Sequence, residues 1–292
     1  MSLDKLGGRV AVITGAASGF GREFAQIGAR EGMKLVLADV QAEALQSVAA
    51  ELRSAGAEVL AQTTDVADSA QVKALADATF EAFGNVHLLF NNAGVGSGGL
   101  IWENDERDWQ WVLGVNLWGV IHGIRHFVPR MLARGEPGHI VNTASVAGLL
   151  NPPNMGVYNV SKHAVVSLTE TLFHDLHAVN SSIGVSCLCP AFVNTGIAQS
   201  FRQRPAHLAT DAPPTASQRL VQASIQKATE SGKLSAAEVA RITFDAVRHD
   251  RFYVLTHPAI VPTIELRCMD ILQQRSPSDP FSTKPGVRPK MV

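Results

Sequence analysis

Cysteine is scarce in this chain: Cys187, Cys189 and Cys268 are its three copies in 292 residues. That count is too low, and too odd, for a disulfide framework. Cys187 and Cys189 alternate on a candidate strand, point to one face and read as core residues. Neither sign of charge is in excess. A formal net charge of -1 gives no argument for nucleic acid or an anionic membrane as partner. No uninterrupted apolar run approaches the roughly 20 residues that a bilayer span needs. The opening "MSLDKLGGRVAVITG" places charges and glycines before the first apolar run, so it does not read as a secretory signal. A soluble, cytoplasmic protein is the default expectation. Apolar material, by contrast, is plentiful. A 46% hydrophobic fraction can build a large core, and the length allows one domain or two.

Short apolar runs alternate with longer stretches of helical period. Candidate strands are residues 9–14, 34–39, 58–63, 86–91, 139–144, 183–189 and 252–256. Several are continuously apolar, as expected when helices cover both faces of a sheet. Helices are expected over 19–31, 41–54, 68–83, 104–133, 156–179 and 236–249. Strand then helix, repeated, predicts an α/β fold: a single doubly wound domain with a parallel seven-stranded sheet and helices on both faces. Residues 1–258 make up this unit. Within it, 194–234 has mixed composition and suits a mobile lid. Residues 259–292 are expected to add a final helix and a flexible tail, whose end at 276–292 is rich in Pro and polar residues.

Directly after the first strand comes "TGAASGFG", with Gly15, Gly19 and Gly21 ahead of a helical segment. Glycine lets the backbone approach a pyrophosphate closely, and the helix N-terminus offers unpaired N–H groups to the anion. About 20 residues further on, Asp39 ends the second strand. An acid there can accept hydrogen bonds from a ribose hydroxyl and would repel a 2′-phosphate, while neither Ser18 nor Val40 offers a compensating positive charge. NAD is therefore expected over NADP. Asp39 viewed alone could equally cap the helix that begins near Gln41.

"VYNVSKHAVVSLTE" holds Tyr158 and Lys162, four apart and on one helical face. With two Tyr and eight Lys in the chain, such a pair arises by chance in roughly one case in twenty. A lysine ammonium beside a phenol stabilises the phenolate and lowers its pKa, which suits a general acid/base at an alcohol or carbonyl oxygen. Ser145 lies just past the fifth strand, where open α/β sheets bind ligands, although a serine there can simply cap a turn.

Taken in order and spacing, Thr14-Gly15-x3-Gly19-x-Gly21, Asp65-Val66, "NNAG" at 91–94, Asn116, Ser145 and Tyr158-x3-Lys162 resemble the short-chain dehydrogenase/reductases, over roughly residues 6–258. The resemblance implies a Rossmann-type fold with Tyr158 as general acid/base, Ser145 orienting the substrate oxygen, and Lys162 holding the nicotinamide ribose and lowering the tyrosine pKa. It gives Asn116 a water in the proton relay. The cofactor positions it implies are Gly15, Ser18, Gly19, Phe20, Gly21, Asp39, Asp65, Val66, Asn92, Ala93, Gly94, Tyr158, Lys162, Pro190, Val193 and Thr195. One departure is Ala191, where the family usually has glycine after proline. The reaction implied is hydride transfer between NAD and a secondary alcohol or ketone. Weaker likeness to bacterial dehydrogenases of aryl secondary alcohols, and the absence of Asp, Glu, Lys and Arg from "LLNPPNM" and "AFVNTGIAQSF", point to a bulky apolar substrate.

Two other readings stay open. An NADPH-dependent carbonyl or acyl-chain reductase is one, against which Asp39 argues. A non-catalytic dinucleotide-binding sensor is the other, although it would have no use for Ser145 and Tyr158 together. No metal is expected: His122/His126 and His174/His177 have helical spacing, but no carboxylate completes a zinc pattern. Trp102, Trp109, Trp111 and Trp118 are expected in the core or at a subunit interface. By analogy with the family, the chain is expected to form a homotetramer or homodimer.

Overall fold

The computed structural model describes residues 5–210, 212–230, 232 and 234–283. Strands lie where the apolar runs predict them: β1 (Val10–Thr14), β2 (Lys34–Asp39), β3 (Val59–Thr63), β4 (Leu88–Asn91), β5 (Gly138–Thr143), β6 (Ile183–Cys189) and β7 (Tyr253–Leu255). They form one parallel sheet in the order β3-β2-β1-β4-β5-β6-β7. The helices are α1 (Gly19–Arg30), α2 (Ala42–Ser54), α3 (Ser69–Phe83), α4 (Glu106–Leu113), α5 (Gly119–Arg134), α6 (Gly156–Ala178), α7 (Ala216–Glu230), α8 (Ala236–Arg248) and α9 (Val261–Leu272).

Strand alternation explains why two cores form. On one face Ala11 and Ile13 of β1 meet Phe24 of α1, Leu45 of α2 and Phe244 of α8. On the other, Val10 and Val12 meet Leu75 of α3, Phe127 of α5 and Leu176 of α6. Both faces of β1, β4 and β5 are buried, so those strands carry no solvent-facing polar alternation. Rings key the first core: Phe24 stacks on Phe90 at 4.7 Å between centroids, and Phe244 tilts against Phe90 at 5.5 Å. The strand order reverses between β1 and β4. That switch point opens a crevice at the C-terminal strand ends.

The sequence predicts one helix over 104–133. The structure divides it into α4 and α5, joined by a π-helical turn at Gly114–Trp118. The wider turn carries Asn116 into the interior, where it is fully buried. Just beyond, α5 lies so close to β4 that a Cβ on Gly123 would stand 2.0 Å from the Asn91 side-chain oxygen. The segment expected to form a lid at 194–234 contains 3-10 turns at Gly196–Gln203 and Ala206–Leu208, followed by α7. The expected final helix is α9. After it the chain folds back: Asp270 accepts from the Ser278 backbone N–H at 2.8 Å, and the Thr263 and Thr283 hydroxyls meet at 2.6 Å. Residues 284–292 of the expected tail lie outside the described residues. No helix among the described residues is long and apolar enough to cross a membrane.

Candidate active site

The glycine turn between β1 and α1 is bare because nothing else fits it. Gly15 and Gly19 have φ of +68° and +52°, the left-handed region that disfavours a side chain. A Cβ on Gly21 would stand 2.1 Å from the Gly15 carbonyl oxygen. Ser18 is the N-cap of α1 with no side-chain cap bond, and Phe20 packs against the first core. Asp39 is buried at the end of β2, where one carboxylate oxygen accepts from Ala17 N–H at 3.0 Å and the other from Gln41 N–H at 3.0 Å. Asp39 therefore steadies the glycine turn and the entrance to α2 together, while the N-cap of α2 itself is Gln41.

Thr14 ties the next loop to β1, with its hydroxyl accepting from Asn92 N–H at 2.9 Å and Ala93 N–H at 3.1 Å. A Cβ on Gly94 would come within 3.6 Å of Lys162 Nζ, so the loop passes directly over the lysine. Asp65 turns the chain by accepting from Ala67 N–H at 2.9 Å. Buried Val66 is fixed through its carbonyl, 2.9 Å from His122 Nδ1. His126 pairs with the Ser69 hydroxyl at 3.0 Å, so this histidine pair is occupied in packing α5 on α3. After β6, the Pro190 carbonyl accepts from Val146 N–H at 3.0 Å and Val193 is buried. Thr195 caps the following turn, and a Cβ on Gly19 would lie 3.3 Å from its side chain. Ala191 lies outside the left-handed region, so alanine meets no backbone strain there.

The three groups at the chemical centre come from the turn after β5 and from α6. Ser145 Oγ accepts from Ala147 N–H at 3.1 Å, donates to the Pro190 carbonyl at 3.3 Å, and is hydrogen-bonded to Tyr158. Lys162 Nζ donates to the Thr143 carbonyl at 2.8 Å and stands 5.7 Å from the Tyr158 ring centroid. Burial pushes the Tyr158 phenol up to about 12, with the Ser145 hydrogen bond acting in the opposite sense. Burial pulls Lys162 down to about 8. The sequence predicts a lowered tyrosine pKa beside the ammonium; in this structure burial moves it the other way. Asn116 joins the cluster from the π turn, donating to the Ser161 hydroxyl at 3.1 Å.

Sequence reasoning missed Ser161, the Thr143 carbonyl and Val95. Ser161 stands inside the Tyr-x3-Lys stretch and could have been noticed there. The two backbone partners leave no signal in residue type. It also missed Ser200, whose hydroxyl accepts from Gly96 N–H at 2.9 Å and brings the 196–203 turn over the loop after β4.

A nicotinamide dinucleotide fits these residues. The glycine cradle would be filled by any Cβ, a buried carboxylate stands at the end of β2, and a buried Ser–Tyr–Lys cluster lies past β5. Sheet, cradle and cluster define a nicotinamide-dependent oxidoreductase of the α/β class. The chain belongs to the short chain dehydrogenase family, whose sequence model matches residues 9–206. It is 60% identical to a short chain dehydrogenase/reductase from Burkholderia phymatum crystallised in complex with NAD, with a TM-score of 0.94 over 96% of this chain and 100% of that one. It is 35% identical to the CLA biosynthesis dehydrogenase/reductase of Lactiplantibacillus plantarum, over 92% of this chain and 95% of that protein. The C alpha-dehydrogenase of Sphingobium sp. is 34% identical, over 97% and 92% respectively. As a member of this family the chain is an oxidoreductase acting on CH–OH groups with NAD or NADP.

Proposed function

We propose that the chain interconverts a bulky apolar or aryl secondary alcohol and its ketone, with NAD rather than NADP, through Tyr158 as general acid/base. The observation that carries this reading is the Ser145–Tyr158–Lys162 cluster, buried at the end of β5 beside the loop that follows β4. When bound, the coenzyme supplies the hydride acceptor or donor. The protein supplies position and a proton. Ser145 has one hydroxyl hydrogen, and its bond to Pro190 is long at 3.3 Å, so turning it to a substrate oxygen costs little. Tyr158 exchanges the proton with that same oxygen. Lys162, held on the Thr143 carbonyl, presents its charge to the phenolate. Asn116 braces the set from the π turn through Ser161.

Three further features support the reading. The negative charge of Asp39 at the adenosine end would repel a 2′-phosphate, which weighs against an NADPH-dependent reductase. Ile197 and Val221 face Gly96 and Gly98 under the 194–234 segment, which we read as the lid over an apolar site. A relative from Acinetobacter sp., 34% identical over 68% of this chain, is a cyclohexanol dehydrogenase by name, in keeping with an apolar secondary alcohol as substrate. Exposed Trp118 and Leu132 on the π turn and α5, with Val160 and Val179 on and beside α6, support assembly into a homodimer or homotetramer through those helices. The cysteines are free, in keeping with the cytoplasm, where NAD is at hand.

The test is reduction of NAD and of NADP by the purified protein with secondary alcohols from propan-2-ol to 1-phenylethanol. The expected outcome is NAD-linked turnover that favours the aryl alcohol. In Tyr158→Phe it is expected to fall by about 10²–10⁴-fold, the range general acid/base groups contribute. Preference for NADP, or turnover of charged keto acids alone, would overturn the reading.

A further inference from the structure

Asn116 spends its entire side chain on the framework. Its Oδ1 accepts from Val95 N–H at 2.8 Å, and Nδ2 donates to the Val95 carbonyl at 3.0 Å and to Ser161 Oγ at 3.1 Å. A carboxamide has two N–H donors, and both are committed here. Ser161 Oγ donates in turn to the Tyr158 carbonyl at 2.7 Å. Asn116 and Ser161 are both 0% exposed. A buried chain thus runs from the loop after β4, through the π turn, into the first turn of α6.

A serine inside a helix often bonds back to the carbonyl three or four residues earlier, and that alone would be local and unremarked. Ser161 differs because the same hydroxyl also accepts from Asn116, 45 residues away in sequence. The first turn of α6 carries the proton-transferring phenol, and the residue after Ser161 is Lys162.

We propose that Ser161 is a positioning residue for the reaction, setting the depth of Tyr158 by tying its backbone to Asn116 and, through Asn116, to Val95. This rests on Tyr158 being the general acid/base. Without the Ser161 hydroxyl, one Asn116 N–H loses its partner in the interior, and the Tyr158 carbonyl loses its restraint. Tyr158 then moves relative to Ser145, which is anchored independently on Pro190 and Ala147. A misplacement on the order of 1 Å is enough to lower a rate about 10²-fold.

The test compares wild type with Ser161→Ala, Ser161→Cys, Ser161→Thr, Asn116→Ala, the Ser161→Ala/Asn116→Ala double variant and Tyr158→Phe, using NAD and 1-phenylethanol. Expected for Ser161→Ala is a kcat lower by about 10–100-fold, with KM for NAD within about twofold. Ser161→Cys fills the same space with a weak hydrogen-bonding group and is expected to fall likewise, whereas Ser161→Thr, which keeps the hydroxyl, is expected to recover most of the rate. The double variant should lose no more than the worse single one, because the two residues act as a unit. Alcohol oxidation should also need a higher pH to reach half its plateau in Ser161→Ala, since the Ser145 bond that lowers the Tyr158 pKa is weakened. A melting temperature that drops while kcat and the pH profile stay at wild-type values would overturn the proposal. So would additive losses in the double variant. Were wild type inert toward 1-phenylethanol, or Tyr158→Phe as active as wild type, the underlying reading of Tyr158 would fall, a result separate from any Ser161 outcome.

Discussion

At Lys162 function and stability pull against each other. Its ammonium is buried with one hydrogen bond to the Thr143 carbonyl, and burial lowers its pKa from 10.5 to about 8. A lowered lysine pKa means that the charged form costs stability in the folded state. The cost is fully present below pH 8 and disappears as pH rises from 8 toward 10.5, because the unfolded chain binds the extra proton there. Lys162→Met is therefore expected to abolish turnover while raising stability at pH 7 by roughly 1–3 kcal/mol, less whatever the unpaired carbonyl takes back. Denaturant titrations at pH 7 and pH 10 check this: the gap between variant and wild type should narrow at the higher pH. Asp39 behaves differently, because its two oxygens hold two backbone N–H groups. Asp39→Asn keeps the shape, removes the charge and replaces one acceptor with a donor. NAD efficiency should fall about tenfold and discrimination against NADP should shrink by a similar factor, on the scale of one to two charge-assisted hydrogen bonds. The residues legible in the sequence, Tyr158, Lys162 and the glycines, are those whose chemistry sits in side-chain type and short spacing. The Thr143 carbonyl, 19 residues from Lys162, and Pro190, 45 residues from Ser145, act through backbone atoms that any residue would supply.

On the scale of an element, the 196–230 segment shows what periodicity can and cannot reveal. Its helix α7, "ASQRLVQASIQKATE", buries Val221 and Thr229 and leaves most other positions partly or fully exposed, so its apolar stripe is too thin to announce a helix. The segment is held by polar clips from distant positions instead. Arg204 Nη1 meets Asp108 Oδ1 at 2.6 Å, with side chains only 14% and 9% exposed, and the guanidinium lies 5.4 Å from the Trp111 ring. Glu103 accepts from the Thr215 and Ser217 hydroxyls at 2.6 and 2.5 Å and fixes the start of α7. Removing one partner of a buried ion pair strands the other. Arg204→Ala is therefore expected to cost about 3 kcal/mol and to expose the segment to limited proteolysis at lower protease concentration than wild type. It should leave Tyr158 and Ser145 in place, so KM for the alcohol rises more than kcat falls. A variant cleaved no faster than wild type would show that the other clips suffice.

For the whole molecule, the sheet order explains why residues scattered from Gly15 to Thr195 converge: each follows a strand whose C-terminal end opens on the same crevice. The strand and helix alternation made the doubly wound parallel sheet legible, because parallel strands need crossovers and crossovers are right-handed, while the order of the strands came from the structure. The outer faces of α5 and α6 carry no such constraint from the sheet, yet large apolar side chains stand open on and beside them. Trp118 is 49% exposed at the head of α5 and Val160 is 45% exposed on α6. Sequence reasoning placed the tryptophans in the core or at an interface, and the structure divides them: Trp111 is buried, while Trp118 and Trp102 are exposed. Burying a Trp side chain is favourable by more than the roughly 1.5–3 kcal/mol of a large aliphatic one, so a face that holds one half-open gains much from a second copy. Trp118→Glu would put a charge into that contact without touching the crevice. Sedimentation velocity should then show wild type as a dimer or tetramer and the variant shifted to a smaller species. A monomeric wild type would remove the assembly proposal and leave Trp118 an exposed side chain with no explanation in this fold.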